Sequence, residues 1–466
     1  MNNKILLLVP AYLEFVYKNS KIKVGVPNSP NLSLAALSGQ LLKHGVEVKI
    51  LDLNLYREPF KQLENVITSF NPGYVGITFT TLLFNEANKI ARFVKQKWPE
   101  IKVLYGGSHS SSMPEITLKE SVADIVIIGE GENTVIDIIT GKPLYNIPGI
   151  AYKDNGQICI TQKREFIKDL DTLPFPAWHL FELNKYTMKN VQAKKYPTGW
   201  IETSRGCPFN CCFCNKSVFG RQFRIKSVIR VVEEIEYMLK VGFKEIHISD
   251  DTFNTDVNRV KKICQEIIKR DLHFPWATVT GIRVDCVDQE MFDLMKQAGC
   301  YRVSFGIESG NQQILDRIGK KITLSQIEHA IRLAVNSGLE IVGFFMLALP
   351  GETEQTMQDT IDFACKLDLD FAKVAITTPL PSTPLFDELD KNGLIKTKEW
   401  SNYNLYLPNT RIYNHQNLSW DVIAKYFNLF YRKFYLRPKY IIKRFKKAIT
   451  QRTLLDNFIY FLKTRW

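Results

Sequence analysis

Apolar positions in the first 150 residues fall into short, nearly continuous runs separated by segments with a three-to-four-residue repeat. The runs "KILLLVPAY", "VEVKILDLN", "YVGITFTT", "IKVLYGG" and "DIVIIGEG" are of the kind buried on both faces and predict five strands. "LSLAALSGQLLKHG", closed by Gly45, and "FNEANKIARFVKQKW" carry the helical repeat. This alternation predicts a parallel, doubly wound sheet with helices on both faces.

The layout expected for residues 1–150 is flavodoxin-like, and such sheets bind ligands beyond the carboxyl ends of their strands. Those ends carry Asp52 to Asn54, Thr78 to Leu82, Gly106 to Ser110 and Gly129 to Glu132. Residues 151–198 read as a linker: in "DLDTLPFPAW", Pro174 and Pro176 break regular structure, and Trp178 is expected between domains. The alternation resumes over 199–395 with strands at "WIETSRG", "EIHISDD", "ATVTGIR", "YRVSFGIESG", "EIVGFFMLALPG" and "FAKVAITTP". Helical patterns near 227–240, 256–270, 288–298, 324–337 and 353–367 complete six βα units, an open partial barrel of the (β/α)6 type.

Composition adds little to this, except at two places. The chain of 466 residues is 45% hydrophobic and carries a net charge of +13. Residues 421–466 hold twelve Lys or Arg against two Asp, which accounts for +10 of that charge. This aromatic-rich, basic region, expected to be helical over 396–466, suits a cap on the preceding domain or an anionic membrane surface; nucleic acid is the least favoured partner. No apolar run reaches membrane-spanning length and no cleavable leader is apparent, so the expected location is cytoplasmic, with peripheral membrane contact through the tail.

The second place is "GCPFNCCFCN", residues 206–215, which holds four of the nine cysteines just after the first barrel strand. Cys207, Cys211 and Cys214 are spaced CxxxCxxC, with Cys212 inserted. A closed zinc site would lack its fourth ligand, and a disulfide is poorly placed in a reducing compartment. An iron–sulfur cluster on three cysteines would leave one iron open to a small molecule. With Phe213 at the aromatic place, the stretch resembles the CxxxCx(aromatic)C signature of the radical S-adenosylmethionine (SAM) superfamily. Together with the first domain, residues 1–395 resemble that superfamily's cobalamin-binding subgroup.

The resemblance implies a [4Fe-4S] cluster on Cys207, Cys211 and Cys214, whose open iron chelates SAM and splits it to a 5′-deoxyadenosyl radical. Cys212 lies outside the motif, and its thiol is expected to point away. SAM contacts are expected from Phe213; from Asp250 and Asp251 at the second strand end, for the ammonium group; from Arg283, for the carboxylate; from Glu308; and from Leu347 in the fifth strand. Without GxGxxG or a phosphate loop, a dinucleotide or triphosphate site is disfavoured in the first domain, and the resemblance implies cobalamin there. Gly106, Gly107, Ser108, His109, Gly129, Gly131 and Glu132 are its candidate contacts. No DxHxxG motif occurs, so no histidine is expected on cobalt.

The implied activity is methylation of an unactivated carbon of a small-molecule or lipid-like substrate, with a flavodoxin or ferredoxin as electron donor. A radical cyclisation resembling that of the anaerobic magnesium-protoporphyrin monomethyl ester cyclase is the alternative enzyme. A redox sensor without turnover is the alternative outside enzymes. A methylthiolating tRNA enzyme would need a second cysteine set in the first domain, where Cys159 is the sole cysteine before 207.

Overall fold

The computed structural model describes residues 3–12, 29–186, 193–407 and 410–450. The amino-terminal sheet contains β1 (Lys4–Val9), β2 (Glu47–Asp52), β3 (Tyr74–Thr78), β4 (Lys102–Gly106), β5 (Ile125–Ile127), β6 (Ile150–Asp154) and β7 (Gln157–Ile160), in the order β2-β1-β3-β4-β5-β6-β7. The first five are parallel, and β1 pairs with both β2 and β3, the β2-β1-β3-β4-β5 order of a flavodoxin-like sheet, with its switch point between β1 and β3. Ile5 to Leu8 are at most 1% exposed because helices cover both faces. One of these, Leu32–Lys43, starts where the Asn31 side chain accepts the Leu34 amide, and gives way at Gly45, with φ +73.

The stretch expected to be a plain linker from 151 differs at its start. Residues 150–160 form the antiparallel pair β6 and β7, which extends the first sheet past β5. Trp178 is fully buried between the domains, edge-on to Phe243 at 5.2 Å, while the neighbouring Ala177 amide donates to the Ala35 carbonyl of the first domain.

The second domain begins with β8 (Thr198–Ile201), followed by a two-stranded pair, β9 (Ser204–Arg205) and β10 (Arg224–Ile225). Its sheet continues through β11 (Glu245–Ile248), β12 (Trp276–Thr278), β13 (Cys300–Glu308), β14 (Glu340–Leu347) and β15 (Phe371–Ile376). The order β15-β14-β13-β12-β11-β8 is an all-parallel open barrel of six strands. Helices Val228–Val241, Val257–Lys269, Gln289–Gln297, Leu324–Asn336 and Glu354–Lys366 separate them. Each opens on a Ser, Asp or Thr whose side chain accepts an amide of the first turn.

The basic region closes the barrel's last edge. Helix Trp420–Tyr435 sets Phe430 against Phe345 of β14 at 5.3 Å. Its Tyr435 and Tyr431 hydroxyls accept from the Ala372 and Val374 amides of β15, at 3.1 and 3.3 Å, and donate to the same residues' carbonyls. An edge strand's unpaired groups are thus satisfied by side chains. Among the described residues no helix is long and apolar enough to cross a membrane.

Candidate active site

The cysteine loop hangs from the β9–β10 pair, in which Arg205 faces Arg224 and fixes both loop ends. Gly206 turns out of β9 with φ +80, where a Cβ would stand 2.3 Å from the Gln222 carbonyl oxygen, so only glycine passes. Lys216 ties the loop from inside, donating to the Cys207 and Phe209 carbonyls. Cys212 is the loop's anchor: its amide donates to Ile318 O, its carbonyl accepts from Leu385 N, and its side chain packs on the core.

Cys207, Cys211 and Cys214 are free thiols within electrostatic reach of one another. Burial pushes the Cys211 thiol up against the pull of Lys320 and Arg283, and pushes Cys214 up to about 11 against that of Lys216. The donor chemistry fits an anionic iron–sulfur cluster of which three irons would each take one thiolate and a fourth would stay open, and three cations stand ready to offset its charge.

The strand-end residues divide into committed and open groups. Asp250 is fully buried: its carboxylate accepts from Thr203 N (2.6 Å), Thr203 Oγ1 (2.5 Å) and Ser204 Oγ (2.6 Å), tying the second strand end to the first. That corrects the expectation that it faces a ligand's ammonium group. Asp251 is the exposed member of the pair. Crowding by surrounding protein, with Glu202 and Asp250 close by, pushes its carboxyl up to about 6.

Arg283 is held bidentately by Asp285, both bonds at 2.7 Å, and lies 3.6 Å over the Phe209 ring of the cysteine loop; among the described residues its Nη1 has no hydrogen-bond partner. Glu308 is paired with Lys320 at 2.7 Å. Phe213 is half-buried against the core. Leu347 is wholly buried with its carbonyl taken by the Thr377 amide, so it is core and not the wall of a ligand site. Glu308 and Ala348, where β13 and β14 end, adopt φ +68 and +61, the left-handed region that non-glycine residues avoid. Such backbone concentrates at functional sites.

The first domain meets this loop through its serines. Asn215 donates to Ser112 Oγ at 2.7 Å, Ser112 to Ser217 Oγ at 3.1 Å, Ser217 to the Ser108 carbonyl at 3.3 Å, and Ser382 to the Ser112 carbonyl at 2.9 Å. Beside them Gly107 has φ +99, where a Cβ would lie 2.6 Å from Phe79 O, whereas a Cβ on Gly106 would meet nothing within 4 Å. The backbone at Gly106, where β4 ends, is therefore open to close approach by a ligand. Gly129 (φ +80) and Gly131, which caps helix Glu132–Ile139, line the next strand end.

Two candidates there are corrected. Glu132 is buried in an ion-pair network, 2.6 Å from Arg205, which also binds Glu130 and Glu202; Arg224 binds Glu130 at 2.8 Å. His109 is fully buried beside Phe84 (4.9 Å) and Trp400 (5.2 Å), with Nδ1 on Thr81 Oγ1 and Nε2 unpartnered; burial lowers its pKa to about 4. Neither side chain reaches the open end of β4.

The radical SAM superfamily profile matches residues 201–364, and the B12 binding domain profile matches residues 25–139. The chain is 36% identical to an uncharacterised methyltransferase of Pyrococcus horikoshii, over 94% of each chain. The chain belongs to the radical SAM superfamily. This radical SAM chain is also 30% identical to the anaerobic magnesium-protoporphyrin IX monomethyl ester cyclase of Rubrivivax gelatinosus, over 82% of its own length and 70% of the cyclase's. Identity to the cytidylyl-2-hydroxyethylphosphonate methyltransferase of Streptomyces wedmorensis is 28%, over 79% of each. In fold it is similar to the cobalamin-dependent radical SAM enzyme OxsB with aqua-cobalamin bound (TM-score 0.73, 20% identity, 92% of this chain and 66% of that one).

As a radical SAM enzyme with a B12 domain it uses a [4Fe-4S] cluster, SAM and cobalamin. Sequence reasoning missed Lys320, Lys216, Glu202 and Arg205. Lys320 sits in "GKK", with no periodicity to mark it, and Arg205 reads as one more charge before the cysteines.

Proposed function

We propose that this enzyme methylates an unactivated carbon of a small-molecule or lipid-like substrate, with Cys207, Cys211 and Cys214 holding the cluster. The observation that carries the reading is the direct seam between the cysteine loop and the serine-lined end of β4, through Asn215, Ser217, Ser108, Ser112 and Ser382. On this reading the cluster and the cobalamin would lie side by side across that seam. When bound, the cluster supplies an electron to SAM and cobalamin carries the methyl group.

The chain's own residues supply placement and charge. Lys216 shapes the loop, Lys320 and Arg283 balance a negative cluster, Asp251 receives a cationic ligand group, and Arg283 Nη1 faces an anionic one. Gly106, Gly107, Ser108, Gly129 and Gly131 let a ligand approach the backbone closely. A flavodoxin or ferredoxin supplies the electron.

Anaerobically reconstituted enzyme tests this by product counting with the substrate, once found. Methylation yields one 5′-deoxyadenosine and one S-adenosylhomocysteine per product, whereas 5′-deoxyadenosine alone supports the cyclase-type alternative. Protein that cleaves no SAM at all rejects both.

The basic region supports a membrane-borne acceptor. In helix Pro438–Thr450, Lys443 and Lys447 turn inward to Asp368 and Asp370, while Ile441, Ile442, Phe445 and Ile449 are 47–57% exposed on the outer face. Cations inside and apolar residues outside suit an interfacial helix, and the exposed Arg432, Lys433, Lys439 and Lys446 match an anionic surface in charge. Co-sedimentation with phosphatidylglycerol vesicles, lost in Phe445→Asp, is expected. A stripe that instead drives Phe445-dependent dimers, without vesicle binding, overturns the idea.

A further inference from the structure

The floor of the barrel's open mouth can be read from strand register. Phe345 faces outward, against Phe430 of the closing helix, and is level with Val374 of β15. Side chains alternate along a strand, so Phe344 and its level partner Lys373 turn inward. Gly306 of β13 is level with them, and a Cβ on Gly281 would be 3.5 Å from the Phe344 ring. The space beside Gly306 is taken by the Glu308 and Lys320 side chains, which a Cβ there would meet at 2.8 and 2.9 Å, and Lys373 Nζ lies 6.0 Å from the centre of the Phe344 ring. Lys373 is half-buried.

Three cations nearby have carboxylate partners, Arg302 on Glu340 at 2.8 Å, Lys320 on Glu308 at 2.7 Å and Arg283 on Asp285 at 2.7 Å, and Lys216 is held by the Cys207 and Phe209 carbonyls. Among the described residues Lys373 has no carboxylate within ion-pairing distance. A desolvated charge left without a partner costs stability, so it persists where a ligand completes it.

We infer that Lys373 is a substrate subsite, binding an oxyanion, either carboxylate or phosphate, whose apolar neighbour rests on Phe344. The inference rests on the barrel lumen being the substrate chamber. Its position, inward and one layer beneath the Glu308–Lys320 pair, holds the anionic end deep and leaves the rest of the molecule toward the cysteine loop.

Burial, with Arg302 as the nearest like charge, lowers the Lys373 pKa to about 8. The other charges facing it, Glu340 below and Glu308 with Lys320 above, are already paired. Anion binding should therefore fade as pH rises past about 8.

The test is thermal unfolding of the anaerobic holoenzyme in chloride buffers of matched ionic strength, with propionate or inorganic phosphate added in separate arms. The expected result is a rise in the unfolding midpoint with one of the two anions, absent in Lys373→Met and kept in Lys373→Arg. Lys373→Met should be at least as stable as the parent without added anion, because an unpaired charge has been removed. The arm that responds names the source. Equal responses in parent and Lys373→Met, no response to either anion, or a less stable Lys373→Met overturns the inference. SAM cleavage measured on the same samples is a separate readout: its loss in the parent counts against the proposed activity and leaves the anion result standing.

Discussion

Cys212 and its neighbours show how adjacent residues of one type are told apart. Its backbone is spent on Ile318 and Leu385 and its side chain packs on the core, which those of Cys207, Cys211 and Cys214 do not. Anaerobic reconstitution should therefore give the visible absorbance of an iron–sulfur cluster in Cys212→Ala and in none of Cys207→Ala, Cys211→Ala and Cys214→Ala. Glu352 makes a different case. It is fully buried, Oε2 accepts from the Leu349 amide at 2.9 Å, and Oε1 has no partner.

Burial raises the Glu352 carboxyl from its ordinary 4.5 to about 8. Between those values the folded chain holds a proton that the unfolded chain releases, so stability is fullest below the lower value and declines toward the upper one. Glu352→Gln, neutral throughout, should flatten that part of the pH profile of the unfolding midpoint; an unchanged slope would show the carboxyl ionises freely.

At the scale of elements, the parallel strands of both domains and the barrel helices were legible because buried runs and amphipathic repeats marked them, whereas helices Pro59–Phe70 and Glu132–Ile139 were not read. Helices expected near 227–240 and 324–337 occupy Val228–Val241 and Leu324–Asn336. The β6–β7 pair was not legible: "GIAYKDNGQICI" lies in a stretch read from its prolines, and pairing with β5 depends on an edge that local sequence does not reveal. The tail's aromatics likewise gave no sign that two tyrosine hydroxyls would seal β15. Removing both, in Tyr431→Phe with Tyr435→Phe, leaves edge amides and carbonyls unsatisfied at about 1–3 kcal/mol per group. Urea unfolding should show a cost of that order, accompanied by aggregation through the bared edge.

For the whole molecule, what matters is that the two domains are locked by charge. Arg205 and Arg224, at the base of the cysteine loop, are 3% exposed and pair with Glu130 and Glu132 of the first domain. Deleting one partner strands a buried charge, at about 3–5 kcal/mol. Arg205→Ala should thus lower stability and separate the domains by limited proteolysis. Glu130→Gln with Arg224→Met should cost less than the sum of its single changes, because the pair leaves together. If the singles simply add, the network does not couple the domains.

The sequence by itself determined the two-domain α/β plan, the three-cysteine loop and its place after the first barrel strand, because these rest on local periodicity and spacing. Only the tertiary structure decided which charges face a ligand. Asp250, Glu132 and His109 carry the same side chains in either setting; burial against Thr203, Arg205 and Trp400 commits them to protein partners, while Lys373 has no carboxylate within ion-pairing distance among the described residues. A side chain's availability depends on partners distant in sequence, and those partners exist only once the chain has folded.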